Sequence, residues 1–277
     1  MLLKRKTLCT FEFILKETFM KQKHIFILLL LLITIIFIAC LTQKKTAIQQ
    51  TDVTTTELPT STSGIEIPAG NSDLQIVKHP GFTLAYTEEH EQAAWVAYEL
   101  TAEEVAGTAS RTDRFLEDPA IRTGSATDND YKGSGYDRGH LAPAADMKWS
   151  EEAMSASFYF SNMSPQRPSF NRGVWKRAEE QVRDWALHYD AVYVTTGPVL
   201  NNIIAHIGNN KVSVPAYYYK TVLDKKMEKA IAMLIPNEGS KAKLQSFCIS
   251  VDSLEALTGL DFFQRLPDEE EKRIEST

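Results

Sequence analysis

Between Thr42 and Ser72 the chain is rich in Thr, Ser, Gln and Pro and carries almost no large apolar side chains, so it cannot bury a core. Any fold is therefore confined to the stretch from about Leu74 to Pro267 of 277 residues, a length typical of one domain. Residues 41–73 are expected to form a disordered tether. The run Asp268-Glu269-Glu270-Glu271-Lys272-Arg273, within residues 268–277, reads as a solvated charged tail. No internal repeat is visible.

Upstream of the tether, residues Met1–Phe19 mix charged and apolar side chains without a period. A cleaner start lies at Met20, where a short basic region, Lys21-Gln22-Lys23-His24, precedes the continuous apolar run Ile25–Ala39. That run is too short for a comfortable membrane span but suits the core of a signal peptide. Ile38-Ala39-Cys40 resembles a bacterial lipoprotein cleavage site, with Phe37 where Leu is usual. Residues 1–40 are thus expected to be an extension plus a lipoprotein-type signal, with Met20 as the true start. Lipid on Cys40 would hold an exported domain at the cell envelope, in the periplasm or at the surface. An uncleaved signal anchor is the alternative. The three cysteines, Cys9, Cys40 and Cys248, offer neither a disulfide framework nor a Cys-x-x-Cys zinc site. Cys248, in Phe247-Cys248-Ile249, reads as a buried structural residue.

Within 74–267, strand signals alternate with helical ones. Phe82–Tyr86 and Ala94–Leu100 are rich in aromatic and β-branched residues, and Ala191–Thr196 is a strand stopped by Gly197-Pro198. Glu151–Ser155 reads as a short helix and Ser157–Ser161 as a buried strand. Ala216–Leu223 and Ala230–Ile235 flank Asp224-Lys225-Lys226-Met227 as an antiparallel hairpin. A last helix starts at Leu254 and ends at Gly259. After Asn171, the residues Val174, Trp175, Ala178, Val182, Trp185 and Ala186 fall on one face at helical spacing. Hairpins with helices imply an α+β fold, a mainly antiparallel central sheet flanked by helices.

The chemistry is concentrated in Asp137-Arg138-Gly139-His140, followed by Leu141-Ala142-Pro143-Ala144-Ala145-Asp146. A histidine beside an arginine sets a general base next to a phosphate-binding cation, the pairing that aims water at phosphorus. Gly139 is read as the turn residue that permits φ > 0. Pro143 and Pro165 read as turn-setting. Read from the residues alone, Asn171 is a helix N-cap and Glu179 with Arg183 a surface i,i+4 pair. His24, His79, His90, His188 and His206 lack comparable surroundings.

Three further segments complete the pattern. Tyr131-Lys132-Gly133-Ser134-Gly135-Tyr136 lies upstream, and Phe158–Gln166 and Asn171-Arg172-Gly173-Val174-Trp175 lie downstream. In this order and spacing the chain resembles the DNA/RNA non-specific endonucleases, the ββα-metal (His-Me finger) group that includes endonuclease G. Thr196-Gly197-Pro198, Leu234–Asn237 and Leu257–Phe263 extend the resemblance over most of 74–267 as fold signatures. It implies a ββα-metal motif in which His140 is the general base and Asn171 the sole direct protein ligand of one Mg²⁺, for which Mn²⁺ could substitute. It also implies that Glu179 holds metal-bound waters and that Arg183 and Arg111 bind the phosphate, with Arg114 a competitor of Arg111. Arg138 would combine phosphate contact with a structural role, Asn162 would fix the site, and Asp137 would brace the loop.

The implied function is exported, Mg²⁺-dependent hydrolysis of DNA and RNA to 5′-phosphate ends with little sequence preference. The alternatives are an inactive nuclease-fold lipoprotein that binds nucleic acid, and a phosphodiesterase for small substrates. The net charge of −6 argues against a polyanionic partner until its distribution is read. Lys132, Arg138, Lys148, Arg167, Arg172, Lys176, Arg177 and Arg183 cluster around the motifs and imply a local basic groove, with Lys176 and Arg177 read as ordinary solvated charges. No protein partner is inferable.

Overall fold

The computed structural model describes residues 64–70 and 73–275. The expected signal peptide, Met20, Cys9, Cys40 and most of the tether lie outside these residues. In chain order the strands are β1 (Gln75–His79), β2 (Phe82–Thr87), β3 (Gln92–Thr101), β4 (Asp137–His140), β5 (Met163–Gln166), β6 (Ala191–Pro198), β7 (Ile203–Ile207), β8 (Val212–Pro215), β9 (Tyr217–Asp224), β10 (Ala230–Pro236) and β11 (Cys248–Ile249). Seven of them form one antiparallel sheet in the order β1-β2-β3-β6-β9-β10-β11, and β4-β5 and β7-β8 are separate two-stranded ribbons. This is the α+β architecture that the hairpin pattern implies.

Both faces of the sheet are covered, which the two-residue period makes possible. Val96, Tyr98, Val192, Val194, Tyr218 and Val222 point to one side and pack on Val174, Trp175, Ala178, Val182 and Ala186. Trp95, Ala97, Tyr193, Tyr219 and Leu223 point to the other and pack on Val251, Leu254, Phe262 and Phe263. The apolar stripe read after Asn171 is thus the inner face of a real helix, Lys176–Tyr189. It does not begin at Asn171, however. Phe170–Trp175 is a wider π-type turn, and Gly173 (φ −114°, ψ −105°) breaks the helical path inside it.

The domain is longer at both ends than its hydrophobic stretch suggests. Ile65 is buried in the second core layer, and Ala69 exchanges backbone hydrogen bonds with Asp261 at 2.8 and 3.1 Å, so 64–70 is part of the fold and not tether. The charged tail is a helix, Asp268–Glu275, because Ile274 inserts into the same core while Asp268, Glu269, Lys272 and Arg273 stay exposed.

Other boundaries also move. Ser157–Ser161 is buried, but it is not a strand: i→i+3 hydrogen bonds from Phe158 to Ser155 and from Tyr159 to Ala156 prolong the turn of the Glu151–Ala156 helix. Gly197-Pro198 lies inside β6, still paired with Tyr219 and Tyr218, and position 197 must be glycine because a Cβ there would lie 2.5 Å from the Ala94 carbonyl. Pro165 lies inside β5, where its carbonyl accepts from the Tyr218 hydroxyl at 2.9 Å. The helix expected from Leu254 starts at Val251, one turn early, because the Ser250 hydroxyl caps it. Cys248 is half-buried.

Candidate active site

The β4-β5 ribbon and the turn before the long helix converge on one open cleft of about 470 Å³. Its walls include Arg111, Arg138, His140, Asn171, Arg172, Lys176, Glu179 and Arg183. Every expected site residue except Asn162 lies there.

His140 ends β4, opposite Met163. Gly139 beside it does not adopt positive φ, so the expected reason for glycine is wrong. The requirement is space: a Cβ there would meet the buried Gln166 side chain at 2.1 Å. The imidazole packs edge-on against Phe158, with centroids 4.9 Å apart, and the Trp175 indole N–H donates to the His140 carbonyl at 3.3 Å. Nε2 is buried without a hydrogen-bond partner, which leaves Nδ1 as the ring nitrogen able to meet cleft water. Burial, and then the Arg111 charge, pull the His140 pKa down to about 3, with Asp113 opposing. The ring is therefore neutral at physiological pH, the form a general base requires.

Asn162 does not reach the cleft. It is fully buried and accepts from the Ala142 N–H at 2.9 Å while donating to the Ala142 and Ser157 carbonyls at 2.9 and 2.8 Å. It positions the chain that leaves His140 and touches nothing in the cleft.

Asp137 does more than brace a loop. Its carboxylate accepts from Asn171 Nδ2 at 3.0 Å and takes both ends of the Arg172 guanidinium at 2.9 and 2.7 Å. Committing Nδ2 to Asp137 leaves the neutral Oδ1 as the Asn171 atom free to act as a donor to a cation. Among the described residues, no three His, Cys, Asp or Glu side chains at the cleft converge closely enough to cage an ion; the one such group, Asp252, Glu255 and Glu275, lies outside it. A single amide oxygen, with Glu179 nearby in the wall, fits a hard cation that keeps most of its water, which is the habit of Mg²⁺.

The arginines are pre-positioned. Arg138 pairs with Asp128 and lies 4.3 Å from the Phe115 ring centroid; Arg111 is held by Asp113 at 2.6 Å and lies 4.8 Å from the Phe158 centroid. Arg114 is not part of the cleft wall, so the structure separates the two competitors. Arg183 donates to the fully buried Asp146 at 2.7 Å, and Tyr98 donates to the other oxygen of the same carboxylate at 2.8 Å. Lys176 is the exposed surface charge expected, paired with Glu180, and it also lines the cleft, whereas Arg177 is tied to the Ser240 and Ala242 carbonyls.

With this geometry in place, sequence comparison is decisive. The DNA/RNA non-specific endonuclease pattern matches residues 60–269. The chain belongs to the DNA/RNA non-specific endonuclease family. Human mitochondrial endonuclease G is 33% identical over 205 residues, which cover 68% of this chain and 69% of that protein. Nuclease C1 of Cunninghamella echinulata is 31% identical over 228 residues, covering 75% and 90%. A nuclease of Nostoc sp. is 34% identical over 209 residues, covering 70% and 75%. Of the vertebrate mitochondrial EXOG nucleases it also resembles, the chain spans only 57% to 63% of the length. A solved structure of an EndoG/EndoGI complex, described as showing the mechanism of EndoG inhibition, matches at a TM-score of 0.65 and 29% identity, over 70% of this chain and 88% of that one.

Three buried residues linked to the cleft wall through Arg183 and Glu179 escape a reading by motif: Tyr98, Asp146 and Lys220. Tyr98 sits in an aromatic strand and Asp146 ends the motif as an unremarked acid. Lys220 is a fully buried lysine. Its signal was available, because the period of two puts it on the same strand face as Tyr218 and Val222.

Proposed function

We propose that this protein is a Mg²⁺-dependent endonuclease that hydrolyses DNA and RNA to 5′-phosphate ends with little sequence preference. The single observation that carries the reading is the convergence of His140, Arg111, Arg138, Asn171, Glu179 and Arg183 on one open cleft. The neutral imidazole takes a proton from a water, which attacks phosphorus in line. Arg111, Arg138 and Arg183 hold the phosphate and meet the charge that develops on it; their planar forks suit that task. Asn171 Oδ1 would hold the ion, and Glu179 would orient water around it. When bound, the ion supplies neutralising charge for the phosphate and the departing 3′ oxygen. Contacts of this kind go to the backbone, which carries no sequence information.

The acidic total charge does not oppose this reading, because five cations line the cleft: Arg111, Arg138, Arg172, Lys176 and Arg183. Incubating the protein with plasmid DNA and with RNA, in Mg²⁺ or in EDTA and across a NaCl series, tests it. Cleavage of both polymers in Mg²⁺ alone is expected, with affinity falling steeply as salt rises. Activity in EDTA, or a flat salt profile with cleavage of small phosphodiesters only, would overturn it.

We further propose export, with lipid on Cys40 as the anchor; the basic and apolar signal of residues 20–40 supports it. Cys40→Ser is expected to move the protein from the membrane to the soluble fraction and abolish labelling by a fatty-acid analogue. Retention of an uncleaved, membrane-bound variant would make Ile25–Ala39 a signal anchor.

A further inference from the structure

Lys220 lies in the middle of β9, on the sheet face that packs against the 176–189 helix, between Tyr218 and Val222. It is fully buried, and its Nζ makes no hydrogen bond. Nζ lies over the face of the Trp175 ring, 4.6 Å from its centroid. Burying an ammonium is costly unless another charge answers it. A cation–π contact offsets only part of that cost, so a second partner is required.

The helix supplies one that acts through its charge, with no hydrogen bond to Nζ. Trp175, Glu179 and Arg183 succeed each other at four-residue spacing and share one face. An ammonium held against Trp175 is therefore presented one turn from the Glu179 carboxylate. Arg183, at the far end of this stripe, is committed through NH1 to Asp146, which Tyr98 also engages. The charges that act on Lys220 are Glu179 first, then Asp146 and Arg183. Those that act on Glu179 are Lys220 first, then Asp146, Arg183 and Glu180.

We propose that Lys220 is a positioning residue whose buried ammonium fixes the Glu179 carboxylate at the cleft wall, where it orders water around the ion held by Asn171. This rests on the roles proposed for Glu179 and Asn171 in the nuclease reaction. Lys220 itself touches neither ion nor substrate; it reaches the reaction through Glu179, from beneath the helix.

Two measurements on the detergent-solubilised full-length chain test the proposal. The first is calorimetric titration with Mg²⁺ alone of wild type, Asn171→Ala and Lys220→Met. Loss of a partner behind a metal site is expected to weaken Mg²⁺ binding by about 10- to 100-fold in Lys220→Met. If Asn171→Ala weakens binding while Lys220→Met matches wild type, the site reading stands and the Lys220 proposal falls. If Asn171→Ala also matches wild type, the site reading falls and takes the proposal with it. The second is thermal unfolding of Glu179→Gln and of Glu179→Gln combined with Lys220→Met, which does not depend on whether Lys220→Met folds alone. Removing the carboxylate takes away the charge that acts most strongly on the ammonium and lowers Tm; removing both is expected to restore part of the loss. A double variant no more stable than Glu179→Gln would overturn the pairing.

Discussion

His140→Ala is expected to lower the rate of phosphodiester cleavage by on the order of 10²–10⁴, the usual loss for a general base. Binding of the nucleic acid should stay nearly unchanged, because affinity resides in the five cleft cations and not in a neutral ring. Single-turnover cleavage and filter binding on one DNA duplex separate the two effects. Wild-type turnover by the variant would remove His140 from the mechanism. The pH dependence carries a further expectation. Burial and Arg111 pull the His140 pKa down to about 3, so the imidazole is already unprotonated well below pH 6.5. For stability, the sign is set by proton uptake: the unfolded imidazole charges below about pH 6.5 while the folded one does not. The contribution of this group is therefore complete above that pH and is lost as pH falls toward 3. A bound phosphodiester adds negative charge beside the ring and raises its proton affinity, which helps the base at the moment of use. The acid limb of kcat/KM should instead come from Glu179, whose carboxyl burial pushes up to about 7. That limb should disappear from the residual activity of Glu179→Gln and persist in that of His140→Ala.

How much of the fold and site is legible in the sequence depends on how local each cause is. The Asp137–His140 motif and the stripe from Val174 to Ala186 are set by neighbours within one or two turns, and both appear where the pattern puts them. The hairpin of β9 and β10 is equally local, and its register runs unbroken from Ala230–Leu223 to Pro236–Tyr217. Sequence and structure part where a distant residue decides. Gly139 is glycine because Gln166, from the partner strand, occupies the space of its Cβ, a cause that φ preference cannot express. Residues 64–70, expected as the end of the tether, are ordered because Asp261, almost two hundred positions away, completes their hydrogen bonds. Asn162, which the family motif implies would fix the site, does so from outside the cleft. Its three hydrogen bonds to the backbone at Ala142 and Ser157 show a side chain spent wholly on holding the loop. Lys220 is the most instructive miss, since a lysine in an otherwise apolar strand face is rare enough to ask for a partner.

Arg183→Ala is expected to cost about 3–5 kcal/mol of folding stability as well as activity, because it strands a buried charge. The fork that sequence assigns to the phosphate is already half used: NH1 donates to Asp146 at 2.7 Å, and the Asp146 side chain is completely inaccessible to solvent. Among the described residues, Tyr98 supplies the only other side-chain hydrogen bond to that carboxylate, at 2.8 Å. Burial already raises the Asp146 pKa, and Arg183 is the largest influence lowering it, so losing Arg183 leaves the carboxylate with little reason to stay ionised. Lys176→Ala gives the contrast. Lys176 also lines the cleft, yet its side chain is 63% exposed and its partner Glu180 is 3.5 Å away, a surface pair worth less than about 1 kcal/mol. Urea unfolding and initial cleavage rates should therefore diverge for the two substitutions. Arg183→Ala should lose both, and Lys176→Ala should keep its stability and lose only part of its affinity. Adding Asp146→Asn to Arg183→Ala removes the stranded charge while keeping an acceptor for Tyr98, so stability should recover while the rate does not. Equal damage from Arg183→Ala and Lys176→Ala would reduce Arg183 to one charge among several. Recovery of the rate together with stability would show that Arg183 serves the fold alone and never meets the phosphate.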